Sequence, residues 1–350
     1  MVKKQIYDSN GFVNRALWRE DPAPFIIALG GRGIGKTYGA LLDVANGLYG
    51  KVVYVRRNDT QLSAVKLPEL NPFKRINNDI GTDLMFSPMG KLTAGIYHGE
   101  NVDGVIKPVG APLGIGVALS VFSNVRGIDG MDYQTIIFDE FIKEAHERPI
   151  KNEGEAFLNM YETLNRNREL PPLNQPPLKC LLLANSNDLR SPILDALGLV
   201  DIIDRMLTKG REYKTIRNGM LSIYLYQDSP VSRAKASTAL YQVANNADFS
   251  NMALNNHFSG ANYEYVKSCP LKEYHPLCSI GDVTVFEHNS DRGLYYVIDG
   301  IKSDIVYTTY PVDMRAFRQD YFFLYEALLD KSLYYSSASV KIRFERVWNF

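Results

Sequence analysis

Short apolar runs with few charges recur along the first 200 residues: FIIAL (25–29), KVVYVRR (51–57), GVALSVF (116–122), QTIIFDE (134–140) and KCLLLAN (179–185). Runs of this length without alternation suit strands covered on both faces of a sheet. Between them the spacing becomes helical. TYGALLDVANGL (37–48) sets Leu41, Leu42 and Val44 at helix intervals, and NEGEAFLNMYETLNRNRE (152–169) puts Phe157, Met160, Tyr161 and Leu164 on one side. This alternation predicts an α/β domain. The Pro/Asn/Gly-rich stretch from Leu67 to Pro112 is too long for a simple loop and predicts small hairpins, one of them near GKLTAGIYHG (90–99).

The pattern shifts near residue 205. TKGREYKTIRNG (208–219) is polar and basic and reads as an exposed arm or linker. Tyrosine-rich strands follow (MLSIYLYQ, VTVFEH, GLYYVIDG, DIVYTTY), then a helix from Asp313 to Asp330 and a closing strand SVKIRFERV (339–347). The expected organisation is a first domain over 1–205, a linker or lid over 206–235, and a smaller α+β domain over 236–350.

Charge narrows the choice of partner. Lysine plus arginine equals aspartate plus glutamate at 39 each in 350 residues, so no global basic field coats the chain and any grip on nucleic acid must be local. No stretch reaches the roughly 18 apolar residues of a membrane span, and MVKKQIYDSN has no apolar core behind its lysines, which predicts a cytoplasmic protein with no membrane partner. Three cysteines, Cys180, Cys269 and Cys278, make no disulfide framework, and CPLKEYHPLC fits no common zinc spacing.

The chemistry sits in LGGRGIGKT (29–37). Gly30, four residues and then Gly35-Lys36-Thr37 complete a P-loop, between a predicted strand and a predicted helix. The backbone from Gly30 through Gly31, Arg32, Gly33 and Ile34 would turn its N–H groups toward phosphate. Lys36 would reach the β/γ-phosphates, and Thr37 would hold Mg²⁺. TIIFDEF (135–141) ends an apolar strand in Asp139-Glu140, where Asp139 suits a Walker B acid on Mg²⁺ and Glu140 a base for the attacking water. Nucleotide kinases need no such base, so the pair points to an ATP hydrolase. Asn185, at the tip of CLLLAN, suits either a γ-phosphate sensor or a plain turn. Arg32 lies in the loop itself. Arg166 and Arg168 end a helix, and Arg126 in SNVRG follows a strand, so each is placed to serve a nucleotide in its own or an adjacent subunit.

In order and spacing, GGRGIGKT, VYVRRND, TIIFDEF, NEGEAFLNMYETLNRNRE and CLLLANSND resemble the genome-packaging (encapsidation) ATPases of small tailed phages whose motor contains a packaging RNA. The resemblance covers about residues 25 to 190 and fades beyond, where GLYYVID (293–299) is still similar. It implies an ASCE-class P-loop ATPase domain followed by an RNase H-like, vestigial nuclease domain. It further implies a homopentameric ring on the portal of a prohead, translocating double-stranded DNA with ATP and Mg²⁺ beside a packaging RNA, in the host cytoplasm and absent from the mature virion. Carried over by position, Lys36 and Thr37 match the phosphate and Mg²⁺ ligands, Asp139 the Walker B acid and Glu140 the catalytic glutamate. Arg166 matches a trans-acting arginine finger, Arg126 a position where the family can have a trans-acting lysine, and Arg32 a loop arginine acting in cis.

A two-metal nuclease needs converging carboxylates. Asp282, Glu287 and Asp299 are the nearest to such a set, and they form no clear one, which predicts no nuclease activity. The rival readings are a large terminase with an active nuclease, a nucleotide-gated scaffold with little turnover, and a P-loop kinase.

Overall fold

The computed structural model describes residues 5–125, 127–144, 146–185, 189, 191–243 and 265–348. The chain runs α1 (Ala16–Glu20), β1 (Phe25–Gly30), α2 (Lys36–Ala45), β2 (Val52–Arg56), α3 (Asp59–Ala64), α4 (Lys74–Ile80) and β3 (Leu84–Pro88). Next come β4 (Thr93–Val102), β5 (Val105–Ala118), β6 (Thr135–Asp139), α5 (Glu153–Asn165), β7 (Lys179–Asn185), α6 (Pro192–Ala196) and α7 (Val200–Thr208). The remainder is β8 (Tyr213–Ile216), β9 (Leu221–Tyr226), α8 (Pro230–Lys235), α9 (Ala239–Val243), β10 (Tyr274–Ile280), β11 (Val283–His288), β12 (Tyr295–Asp299), β13 (Val306–Tyr307), α10 (Pro311–Asp320), α11 (Phe322–Leu329), β14 (Leu333–Tyr335) and α12 (Ala338–Val347). Two compact units result, Met1–Leu197 with Met206–Ser259, and Gly198–Arg205 with Gly260–Phe350.

The first unit is a sheet ordered β3-β4-β5-β2-β6-β7-β1-β9-β8. Its middle is parallel, from β5 through β2, β6, β7 and β1 to β9. The strands β6, β7, β1 and β9 are almost wholly buried, because helices or loops cover both faces, and that is why they read as unbroken apolar runs. The ends of β1, β6 and β7 lie side by side, with Gly30 registered against Asn185 and Asp139 against Leu183. In open α/β sheets ligands bind at such carboxyl ends.

Two expectations need correction here, and a third is met. The segment 206–235 is not a linker beyond the sheet: β9 pairs with β1 over its full length, Phe25 opposite Leu221 through Gly30 opposite Tyr226, and β8 extends the edge. GVALSVF is only the tail of β5, which starts at Val105 and ends at Ala118; Leu119–Asn124 is a 3-10 turn. The hairpin expected near Gly90 is present as β3-β4, and with β5 it forms an antiparallel meander that joins the sheet through β2.

The second unit is a five-stranded sheet, order β13-β10-β11-β12-β14, antiparallel through β10, β11 and β12, with β13 and β14 parallel to their neighbours. Helices α10, α11 and α12 supply Phe317, Leu324, Val340 and Phe344 to a core with Val283, Val285 and Val297. The closing segment 339–347 is helix α12, not a strand. Its apolar residues alternate at period two, but Val340, Phe344 and Val347 also share a helix face, and Ser337 caps the first turn by accepting from the Val340 amide. The expected single helix over 313–330 is divided into α10 and α11 at Tyr321.

Candidate active site

The loop between β1 and α2 closes over its own lysine. Gly30 sits so close to β9 that a Cβ there would lie 2.6 Å from the Cβ of Tyr226, and Gly33 and Gly35 take φ of +72° and +88°, open to glycine with little strain. Lys36 Nζ donates to the carbonyls of Gly30 (2.8 Å) and Gly31 (2.7 Å) and to Asn185 Oδ1 (3.2 Å). Burial brings its pKa down from 10.5 to about 7, with Asp139 and Glu140 pulling the other way and Lys235 and Arg32 adding repulsion.

Thr37, in the first turn of α2, donates its hydroxyl to Asp139 Oδ1 at 2.8 Å. Asp139 is only 2% exposed, and its other oxygen accepts from Tyr54 (3.0 Å) and from Arg56 Nη1 (2.9 Å). Glu140 leaves the strand with φ +54°, a left-handed conformation uncommon for a non-glycine residue, and its carboxylate accepts from Arg56 Nη2 at 2.5 Å. One guanidinium thus spans both acids. Burial works against the charge on Arg56, and Tyr54, Asp139 and Glu140 outweigh that cost, so its pKa is raised.

Neighbouring Arg57, just past the end of β2, takes different partners. It is fully buried, pairs with Glu153 (2.6 Å) and Glu147 (2.6 Å), and so braces the first turn of α5. At the far end of that helix Arg166 takes φ +49° and ψ −142°, is half exposed, and donates to the Ile128 carbonyl at 2.9 Å. Arg168 differs from the expectation. It is buried and donates to the carbonyls of Gly130 (2.7 Å) and Tyr133 (3.0 Å), so it holds the fold together and is not presented to a neighbour. Arg32 is exposed at the loop tip and paired with Glu144. Arg126 lies outside the described residues.

A cleft of about 1040 Å³ opens beside these groups, lined by the loop, by Thr37, Asp139, Glu140 and Asn185, and by Phe12 and Tyr38. Among the described residues no trio of His, Cys, Asp or Glu is placed to hold a metal. Thr37 and Asp139 still offer two hard oxygen donors side by side, which suits Mg²⁺, an ion that keeps waters and takes substrate phosphates as ligands. The clamp role of Arg56 was missed in the sequence, although Tyr54 and Arg56, two apart on one strand face, carried a signal for it.

In the second unit Asp299, at the end of β12, and Asp282, just before β11, meet across the sheet, and Arg343 of α12 pairs with both, 2.7 Å to Asp299. Glu287 lies toward the opposite end of β11, where His275 faces it at 3.7 Å.

Residues 12–280 match the family model described as Podovirus DNA encapsidation protein (Gp16). The DNA packaging proteins of Bacillus phages PZA and phi29 are each 25% identical over 243 residues, 68% of this chain. The match spans 63% of the length of these curated relatives. The bacteriophage Phi-29 viral genome packaging motor assembly includes a chain with the same fold, at a TM-score of 0.65 and 19% identity over 97% of this chain and 98% of that one.

Proposed function

The chain belongs to the podovirus DNA encapsidation protein (Gp16) family, and on that premise we propose that it is the ATP-hydrolysing subunit of a motor that drives double-stranded DNA into a viral prohead. The observation that carries the reading is the meeting of three parallel strand ends. They set Lys36, Thr37, Asp139, Glu140 and Asn185 around one cleft.

The phosphates of ATP are bound by the amides of Gly31 through Thr37, at the positive end of α2, and by the Lys36 ammonium. Thr37 and Asp139 are the residues that would hold Mg²⁺, whose chemistry there is to neutralise charge on the phosphates. Glu140 takes the proton of the attacking water. Its carboxylate is bonded to Arg56, and a carboxylate shared with a guanidinium is a poor base, so Glu140 must first turn away from Arg56. Asn185 bonds Lys36 and is placed to register the terminal phosphate.

Arg166 completes the site of an adjacent subunit. It is exposed, and is held by the Ile128 carbonyl with the Asp129 carboxylate 3.9 Å away, while α5 behind it is braced by Arg57. Arg126 is read as a second trans-acting cation, and Arg32 as a cis donor released from Glu144. A trans arginine is worth on the order of 10³ to 10⁵ in rate in other P-loop enzymes, enough to tie firing to ring position. Assembly as a pentamer on the portal, contact with a packaging RNA and a site of action in the host cytoplasm follow from the family resemblance. The DNA grip falls on phosphates, since packaging must ignore sequence. We read the second unit as an RNase H-like domain without nuclease chemistry. Arg343 supports this, because its guanidinium lies where two carboxylates would otherwise face a cation.

The test is ATP hydrolysis against protein concentration, with and without double-stranded DNA, on wild type and on Arg166→Ala mixed with Glu140→Gln. A rate per subunit that climbs with concentration, and mixed variants that partly restore each other, support a ring motor. A flat rate indifferent to DNA and to Arg166 overturns it.

A further inference from the structure

The phosphate loop has a third cation that the P-loop pattern does not contain. Helix α8 follows β9 and is fixed at its start to the N-terminal turn: the buried Ser229 donates its hydroxyl to the Gly11 carbonyl at 3.1 Å, and Pro230 packs on Gly11. The last residue of α8, Lys235, then reaches over the loop. Its Nζ donates to the Arg32 carbonyl at 2.5 Å and lies against the bare Cα of Gly33, in space that any side chain at 33 would fill.

The other cations of this loop have acids nearby. Arg32 is paired with Glu144, and Lys36 feels Asp139 and Glu140. Lys235 has no carboxylate partner among the described residues, adds its charge to that acting on Lys36, and is pushed down in pKa by partial burial. An ammonium in that position gains most from a dense anion in the loop. Lys36 occupies the base of the loop, at Gly30 and Gly31, whereas Lys235 sits at its tip.

We propose that Lys235 is a phosphate-binding residue for nucleoside triphosphate. Its ammonium passes from the Arg32 carbonyl to the terminal phosphate and so ties the segment after β9 to the nucleotide. The inference rests on the ATPase reading and adds to it a ligand from outside the P-loop and Walker motifs. It makes α8 the part of the chain that distinguishes three phosphates from two.

The full chain is titrated with mant-ATP and mant-ADP as wild type, Lys235→Gln, Lys235→Arg and Lys36→Ala. Lys235→Gln is expected to weaken mant-ATP roughly tenfold and mant-ADP less than about twofold, with Lys235→Arg within about threefold of wild type for both. Melting without nucleotide is expected to match wild type. Equal loss for both nucleotides would mean that Lys235 only shapes the loop, and no loss would mean that it touches no phosphate; either overturns the inference. If Lys36→Ala binds mant-ATP as wild type does, the ATPase reading itself fails, and this inference with it.

Discussion

Lys36 binds phosphate as an ammonium, and burial opposes that form more than Asp139 and Glu140 favour it. With a pKa of about 7 the group is roughly nine-tenths neutral at pH 8.0. A bound polyphosphate brings several negative charges against it and restores the proton. Nucleotide binding is therefore expected to take up about 0.9 proton at pH 8.0, about 0.5 at pH 7.0 and about 0.1 at pH 6.0. Above pH 7 the affinity then falls about fivefold to pH 8 and about tenfold per pH unit beyond. Calorimetric titration with a non-hydrolysable ATP analogue, in HEPES and in Tris, reads the proton number from the difference in buffer ionisation heat. The same shift bears on folding. Between pH 7 and 10.5 the unfolded chain binds more protons at this lysine than the folded one, so its contribution to stability rises with pH, by up to about 5 kcal/mol across the window. Uptake below about 0.2 proton at pH 8.0 would refute the reasoning. The carbonyls of Gly30 and Gly31 and the amide oxygen of Asn185 would then be holding the charge without help.

Three further outcomes are open to measurement. Arg56→Gln leaves the buried Asp139 with only Tyr54 and Thr37, and is expected to lower stability by about 3 kcal/mol in urea, with Mg²⁺ recovering part of the loss; an unchanged midpoint would mean the clamp carries no weight. Arg168→Ala is expected to cost about 2 to 4 kcal/mol because two buried carbonyls lose their donor, while Arg166→Ala stays within about 0.5 kcal/mol; equal melts would erase the distinction between them. Neither wild type nor Arg343→Ala is expected to nick supercoiled plasmid with Mn²⁺ or Mg²⁺. Nicking by the variant alone would show that the guanidinium masks a working site.

The central strands were readable because burial on both faces leaves apolar runs with polar residues confined to their ends, and each motif sits at a strand end that the apolar run itself announces. What the sequence left open was adjacency. Nothing local in Leu221–Tyr226 says that it lies beside β1, since strand order is set by packing over long separations. The hold of Arg56 on Glu140 depends in the same way on β2 and β6 being neighbours. Arg166 and Arg168 look alike in RNRE, and only the turn after α5 makes one an exposed donor and the other a buried strut. The misread end of the chain had a different cause, because Val340-Lys-Ile-Arg-Phe-Glu satisfies a strand and a helix at once, and the Ser337 cap decides between them.

The pairing of β1 with β9 also sets a timetable. On the ribosome the strand bearing the phosphate loop emerges first, and the partner that flanks it, beginning at Leu221, is made nearly 200 residues later. At about 5 to 20 residues per second that interval is on the order of 10 to 40 s, during which an apolar strand edge stands open to wrong partners. A nascent chain stalled at residue 205 would carry every motif of the P-loop domain and still lack a closed sheet around them. The strand with which the protein grips nucleotide is thus among the last places in its main sheet to be finished, and the early chain is a natural client for chaperones.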